Sequence, residues 1–365
     1  MSELVPDKAK VSPFLVFFLI HSAQFGVGVL GFQRIIAKNA GYDAWIAVLI
    51  GGLAIHPVMW MIYKMAGIAG GDLISIHQFV YGKTFGRLIS LPFIIYFTIY
   101  STVTLRTFVQ IVQVWMFPDI STFWLGLAFL LLVIYVIGGG FRTITGIVFF
   151  GIVLTIYLLF IFIYTIPNSD YADLLPILTH SYKELGLAAF NMSLTFIGWE
   201  IVLVFYPFIK NAPSSLKWAQ RAVLFTTLDY VFITIISFGY FSEGQLQRNI
   251  WATLSMFKIV QMPFVERFEY IGIATWTLII LPNVCLGLWA ASRILKRTYR
   301  IKQKYSIYLL AALSLAIMLL LETREQEAVL NTAFGRTGFF LNFGYLPLLF
   351  FAVLIARKVK GNGKT

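Results

Sequence analysis

Three glycines in the stretch QFGVGVLGF (residues 24–32), Gly26, Gly28 and Gly31, spell G-x-G-x-x-G. In dinucleotide-binding domains that pattern brings backbone N–H groups to a pyrophosphate, but only after a strand and at the start of a helix inside a βαβ unit. Here the run 11–33 holds no Asp, Glu, Lys or Arg and is long enough to cross a hydrocarbon core of ~30 Å. No α/β strand fits there, so a nucleotide site is excluded. A second irregular place is Phe196-Ile197-Gly198-Trp199-Glu200-Ile201, where a glycine and an ionisable acid interrupt another apolar run. Pro282 and Asn283 disturb a third. His21 and His56 stand on apolar runs without a partner at ligand spacing, so no metal is expected. No Ser/His/Asp, paired-carboxylate or Cys/His set suggests catalysis, and no cofactor is called for.

The elements that must carry these residues are membrane spans. The chain has 365 residues, of which 59% are hydrophobic and 12% charged, about half the charge of a soluble domain. Uncharged runs of span length cover 11–33, 44–63, 120–141, 143–169, 270–292 and 337–356, and shorter apolar stretches lie at 88–117, 185–209, 222–242 and 305–321. The expectation is an all-α polytopic membrane protein of ten transmembrane helices. The single cysteine, Cys285, rules out an intrachain disulfide. No small-residue cleavage site follows the first apolar run, which therefore reads as a retained helix.

Ten spans place both termini on one side. That side carries 19 Lys and Arg in its loops and tails, against eight on the other. The positive-inside rule then puts both termini in the cytoplasm. The net charge of +12 is thus mainly a signal of topology, and nucleic acid is not expected as a partner. The basic run 293–304 reads as a topology anchor, with anionic lipid or a cytoplasmic protein as alternatives.

Glycine costs helix stability, roughly 1 kcal/mol per residue, and three within two turns predict that span 1 unwinds. Glu200 precedes Lys210 by ten residues, about 15 Å of helix, which puts it near mid-bilayer. Spans 1 and 6 of ten are therefore both interrupted. Splitting the chain after span 5 gives two five-helix halves of opposite orientation, an inverted repeat with discontinuous helices 1 and 6. The expected divisions are a cytoplasmic N-terminus (1–10), a first repeat (11–169), a second repeat (170–356) and a cytoplasmic tail (357–365).

Paired breaks at one depth expose N–H groups on one side and carbonyls on the other, which suits a zwitterion such as an α-amino acid. Glu200 either caps the lower half of span 6 or meets ligand or proton. Arg106 should snorkel towards the outer boundary. Residues 72–86 read as an interfacial amphipathic helix, and 251–265 as a short helix over the cavity mouth.

The motifs GVGVLGFQR (26–34), FIGWEIVLVFYP (196–207), VERFEYIG (265–272) and AASRILKRTY (290–299) resemble the B subunit of spore germinant receptors, within the amino acid/polyamine/organocation transporter superfamily. The resemblance runs from about residue 11 to 358. It implies a multi-pass protein of the spore inner membrane that binds a small nutrient, an amino acid or a sugar. It also implies A and C partner subunits and a germination signal. Carried over by position, it points to Gln24, Gly26, Val27 and Gly28 in span 1, Tyr100 and Ser101 in span 3, Phe196, Ile197, Gly198, Trp199 and Glu200 in span 6, and Pro282, Asn283 and Leu286 in span 8. Gln33 stands before Arg34 where relatives often have proline, and span 5 has no lysine. The alternative is an ion-coupled amino acid transporter using the same pocket.

Overall fold

The structure, a computed structural model, describes residues 5–260 and 266–362. Eighteen α-helices follow one another, with no strand among the described residues beyond an isolated bridge between Val11 and Ile209. The first span is split into α1 (Leu15–Gln24) and α2 (Phe32–Ala40), with a 3-10 turn Val27–Leu30 between them. Then come α3 (Ala44–Ala69), α4 (Leu73–Ser90), α5 (Pro92–Trp115), α6 (Thr122–Gly138), α7 (Phe141–Thr155) and α8 (Tyr157–Ile161).

The second half opens with α9 (Tyr182–Asn191) and α10 (Ser193–Phe196). The chain breaks after α10 and resumes as α11 (Val202–Phe205). After it run α12 (Leu216–Tyr240), α13 (Glu243–Arg248), α14 (Ala252–Phe257), α15 (Phe268–Tyr299), α16 (Gln303–Leu320), α17 (Arg324–Phe339) and α18 (Leu346–Asn362). Residues 340–345 form a π-helical turn between the last two.

Among the described residues, seven helical stretches are long and apolar enough to cross a membrane. Three shorter apolar helices, Leu15–Gln24, Thr122–Gly138 and Trp199–Phe208, stand where spans 1, 4 and 6 were expected. The surface fits that reading. Ile95, Leu131, Tyr135, Phe150, Leu320 and Leu348 are all exposed, an apolar area that water would not tolerate and lipid does.

Packing follows the repeat. α5 lies along α15 and α3 along α12, pairs that join corresponding spans of the two halves. α1 packs on α7, and α10 on α17, so each broken helix is braced by the last span of its own half.

The amphipathic segment forms α4. Asp72 caps it by accepting from Ser75 N at 3.0 Å, and the helix kinks at Gly82. The expected tail at 357–365 is helical as far as residue 362, because α18 continues through it. Of the expected outer helix at 251–265, only α14 is formed within the described residues; 261–265 lie outside them.

Candidate functional site

Span 1 comes apart where Gly26 takes φ −127° and ψ −138°, far from helical values. The last carbonyls of α1 would then be orphaned, and the sequence suggested them as seats for an ammonium group or a cation. Instead, four consecutive carbonyls accept bonds from side chains. Tyr100 OH donates to Ala23 O (2.7 Å) and Tyr230 OH to Gln24 O (2.9 Å). Asn283 Nδ2 reaches Phe25 O, and Trp276 Nε1 reaches Gly26 O, each at 3.3 Å. Helices α5, α12 and α15 therefore supply donors from outside the broken helix. On the outer side, no side chain among the described residues caps the turn at Gly26 or the start of α2 at Gly31. Gly31 is needed for closeness, since a Cβ there would run into the Ile250 carbonyl. Thr253 of α14 donates to Val29 O at 2.7 Å and fastens that outer segment to the break.

Span 6 breaks differently. Gly198 has φ +122°, and a Cβ on it would collide with the Ala23 carbonyl. Only glycine combines that backbone with that proximity. The carboxylate of Glu200 turns back to accept from Gly198 N at 2.9 Å, from Tyr96 OH at 2.5 Å and from Asn342 Nδ2 at 3.3 Å. Glu200 is wholly buried. Of the two roles weighed for it, this geometry is that of a cap and cross-brace. The two breaks are tied to each other: Gln24 Nε2 donates to Phe196 O (3.4 Å), and the Tyr230 hydroxyl also approaches Thr195 O (3.3 Å).

A cavity of about 570 Å³ lies between the second half of span 1, α5, α10 and α17, with Ile250 and Trp251 also in its lining. Of the residues singled out from the sequence, Gln24, Gly26, Val27, Gly28, Tyr100 and Ile197 line it. Gln24 is a buried part of its lining, and its Oε1 has no hydrogen-bond partner among the described residues.

The other singled-out residues lie behind this wall. Ser101 donates to Val284 O at 3.1 Å and knits α5 to α15. Phe196 sets its ring edge-on to Tyr230, and Trp199 and Leu286 are buried in the core. Gly198, Glu200 and Asn283 hold the breaks as described. Pro282 lines a separate, smaller chamber beside α7.

Two contributions were missed from sequence. Arg106 does not snorkel outward: it is buried, ion-paired with Glu327 of α17, and donates to Leu321 O at 3.0 Å. A buried ion pair meets its own desolvation cost only with good geometry, and the pairing draws α17 against α5. Glu327, Asn331 and Phe334 then supply one wall of the cavity. Nothing in the spacing of 324–336 announces that face. The one available signal was Glu327 itself, an acid opposite an intramembrane arginine.

Two interrupted helices meeting at mid-depth, with a cavity between them and an outer segment above it, define a membrane protein of the broken-helix transporter fold. Solved structures agree. A substrate-bound, outward-open Na+-coupled sialic acid symporter matches with TM-score 0.67 at 15% identity, over 91% of this chain and 77% of that one. MhsT in complex with L-phenylalanine matches with TM-score 0.66 at 14% identity, over 94% and 98%. At such identities the likeness is one of fold.

Sequence comparison narrows the class. The spore germination protein family model matches residues 10–327. Spore germination protein GerQB of Bacillus cereus is 43% identical over 345 residues, 94% of this chain and 96% of that protein. Spore germination protein B2 of Bacillus subtilis (strain 168) is 25% identical over 312 residues, 83% and 84% of the two chains. The chain belongs to the spore germination protein family.

Proposed function

We propose that this protein is the B subunit of a spore germinant receptor, and that it binds a small nutrient in the cavity between spans 1, 3, 6 and 10. An α-amino acid is the ligand class that fits best. The observation carrying this reading is the Oε1 of Gln24, an acceptor buried in the cavity lining without a partner among the described residues. A buried polar atom left unpaired costs about 1–3 kcal/mol, and a ligand ammonium or hydroxyl would relieve it. The uncapped turn at Gly26–Gly31 faces the same space and suits a carboxylate. The name of GerQB supports the germination role. Ligand binding would shift the balance between conformations that A and C subunits read, in a spore inner membrane with both termini cytoplasmic.

Ion-coupled transport is the second reading, favoured by the Na+-coupled symporter among the fold's neighbours. Weighing against it, the four carbonyls at the first break are already engaged by Tyr100, Tyr230, Asn283 and Trp276.

A thermal-shift screen of the purified protein against amino acids and sugars should reveal a stabilising ligand, and Gln24→Met should weaken it. Proteoliposomes should bind that ligand without accumulating it. Accumulation driven by a sodium or proton gradient would instead make the protein a transporter.

A further inference from the structure

Behind the first break lies the smaller chamber, about 40 Å³, between α1, α7, α8, α12 and α15. That is room for a water molecule or two. Its lining is apolar apart from His21, Ser22, Thr155, Asp229 and the Trp276 ring nitrogen. The nitrogen is committed to Gly26 O, and the Thr155 hydroxyl to Gly151 O. His21 and Asp229 are the only ionisable groups among the described lining residues, on any of the packed elements. The neighbouring Tyr230 turns its hydroxyl away, to Gln24 O and Thr195 O.

The hydrogen bonds fix the histidine tautomer. Thr226 gives its single hydroxyl hydrogen to Ala222 O at 2.8 Å. Its oxygen can therefore only accept from His21 Nδ1, 2.9 Å away. With Nδ1 carrying the hydrogen, neutral His21 presents a bare lone pair at Nε2. That lone pair faces Asp229 Oδ2, 4.0 Å away, a buried oxygen with no hydrogen-bond partner among the described residues. Two acceptors thus confront each other across a small apolar chamber. One hydrogen between them would turn repulsion into attraction, either on Nε2 as an imidazolium–carboxylate pair or on Oδ2 as a neutral acid donating towards nitrogen.

We propose that His21 and Asp229 together form a binding site for one proton taken from solvent, separate from the nutrient cavity. The bound proton joins the inner half of span 1 to α12, one residue from the tyrosine that holds both breaks. By linkage, a proton that ties these elements together changes the affinity of whatever binds at the breaks, and the reverse. The site itself requires no nutrient, so its test stands apart from the receptor reading.

The experiment counts protons bound by nutrient-free, full-length protein in nanodiscs, titrated from alkaline to mildly acidic pH with an indicator dye. Asp229→Asn and His21→Gln each place an amide donor where an acceptor stood. Each should bind one proton fewer than the parent protein, and the double variant should also lose one, not two. Thr226→Val, which keeps both ionisable groups but frees His21 to carry its hydrogen on Nε2, should shift the uptake of that proton to lower pH; it also serves if a charge-removing variant does not fold. Unchanged uptake in the variants, or a loss of two in the double variant, would overturn the shared site.

Discussion

The two breaks look alike in sequence, glycines in apolar spans at similar depth, yet the protein finishes them in opposite ways. At span 1 the loose carbonyls are taken by hydroxyl, amide and indole groups of other helices, while the outer turn faces a cavity without a side-chain cap among the described residues. At span 6 the break carries its own carboxylate, which seals it from within the protein. A broken helix is thus not a binding site by itself. What matters is which of its freed backbone groups the neighbouring helices leave alone.

The most severe way to break this contrast is at Gly198. Gly198→Ala forces a Cβ against the Ala23 carbonyl at φ +122°. Strain and overlap together should cost about 3 kcal/mol or more, read as a large fall in the thermal unfolding midpoint. Glu200→Gln comes next. One amide oxygen can still accept from Tyr96, but its NH2 then meets the Gly198 N–H or the Asn342 amide, donor against donor. We expect a loss of about 1–3 kcal/mol in stability, with ligand affinity altered by less than about threefold. A larger effect on affinity than on stability would make Glu200 a ligand contact.

Gln24→Met should do the reverse, keeping bulk while removing the free acceptor. Isothermal titration should report binding about tenfold weaker, roughly 1.4 kcal/mol, with a smaller loss in melting from the long 3.4 Å bond to Phe196 O.

Smallest is an effect at the entrance to α9. There Ser181, through its backbone and its hydroxyl, holds the Glu184 carboxyl below the usual carboxylate range. For a lowered carboxyl, the cap's contribution is present above the unfolded value and disappears as pH falls through the folded one. Amide exchange in the first turn of α9 should therefore quicken only in acid, and Glu184→Gln should remove that dependence.

The irregular places are legible in the sequence because glycine and an intramembrane acid are local signals. Gly26, Gly28, Gly198 and Glu200 could be named from spacing alone. Their partners could not, because Tyr96 and Asn342 lie 104 and 142 residues from Glu200, and Tyr230 lies 206 from Gln24. Arg106 was legible only in part for the same reason: distance along its own helix suggests the boundary, but its burial against Leu321 and Glu327 depends on residues two hundred positions later. The cavity wall supplied by α17 has no motif, only a face that packing selects.

Tyr230 owns a single hydroxyl hydrogen and stands between two carbonyls, at 2.9 Å from one broken helix and 3.3 Å from the other. It can serve one fully or share itself poorly. If the helices separate, the phenol must follow one and desert the other, so intermediate spacings are penalised from both sides. Such an arrangement favours an abrupt commitment over a graded response, a useful trait wherever a decision, once taken, is not reversed.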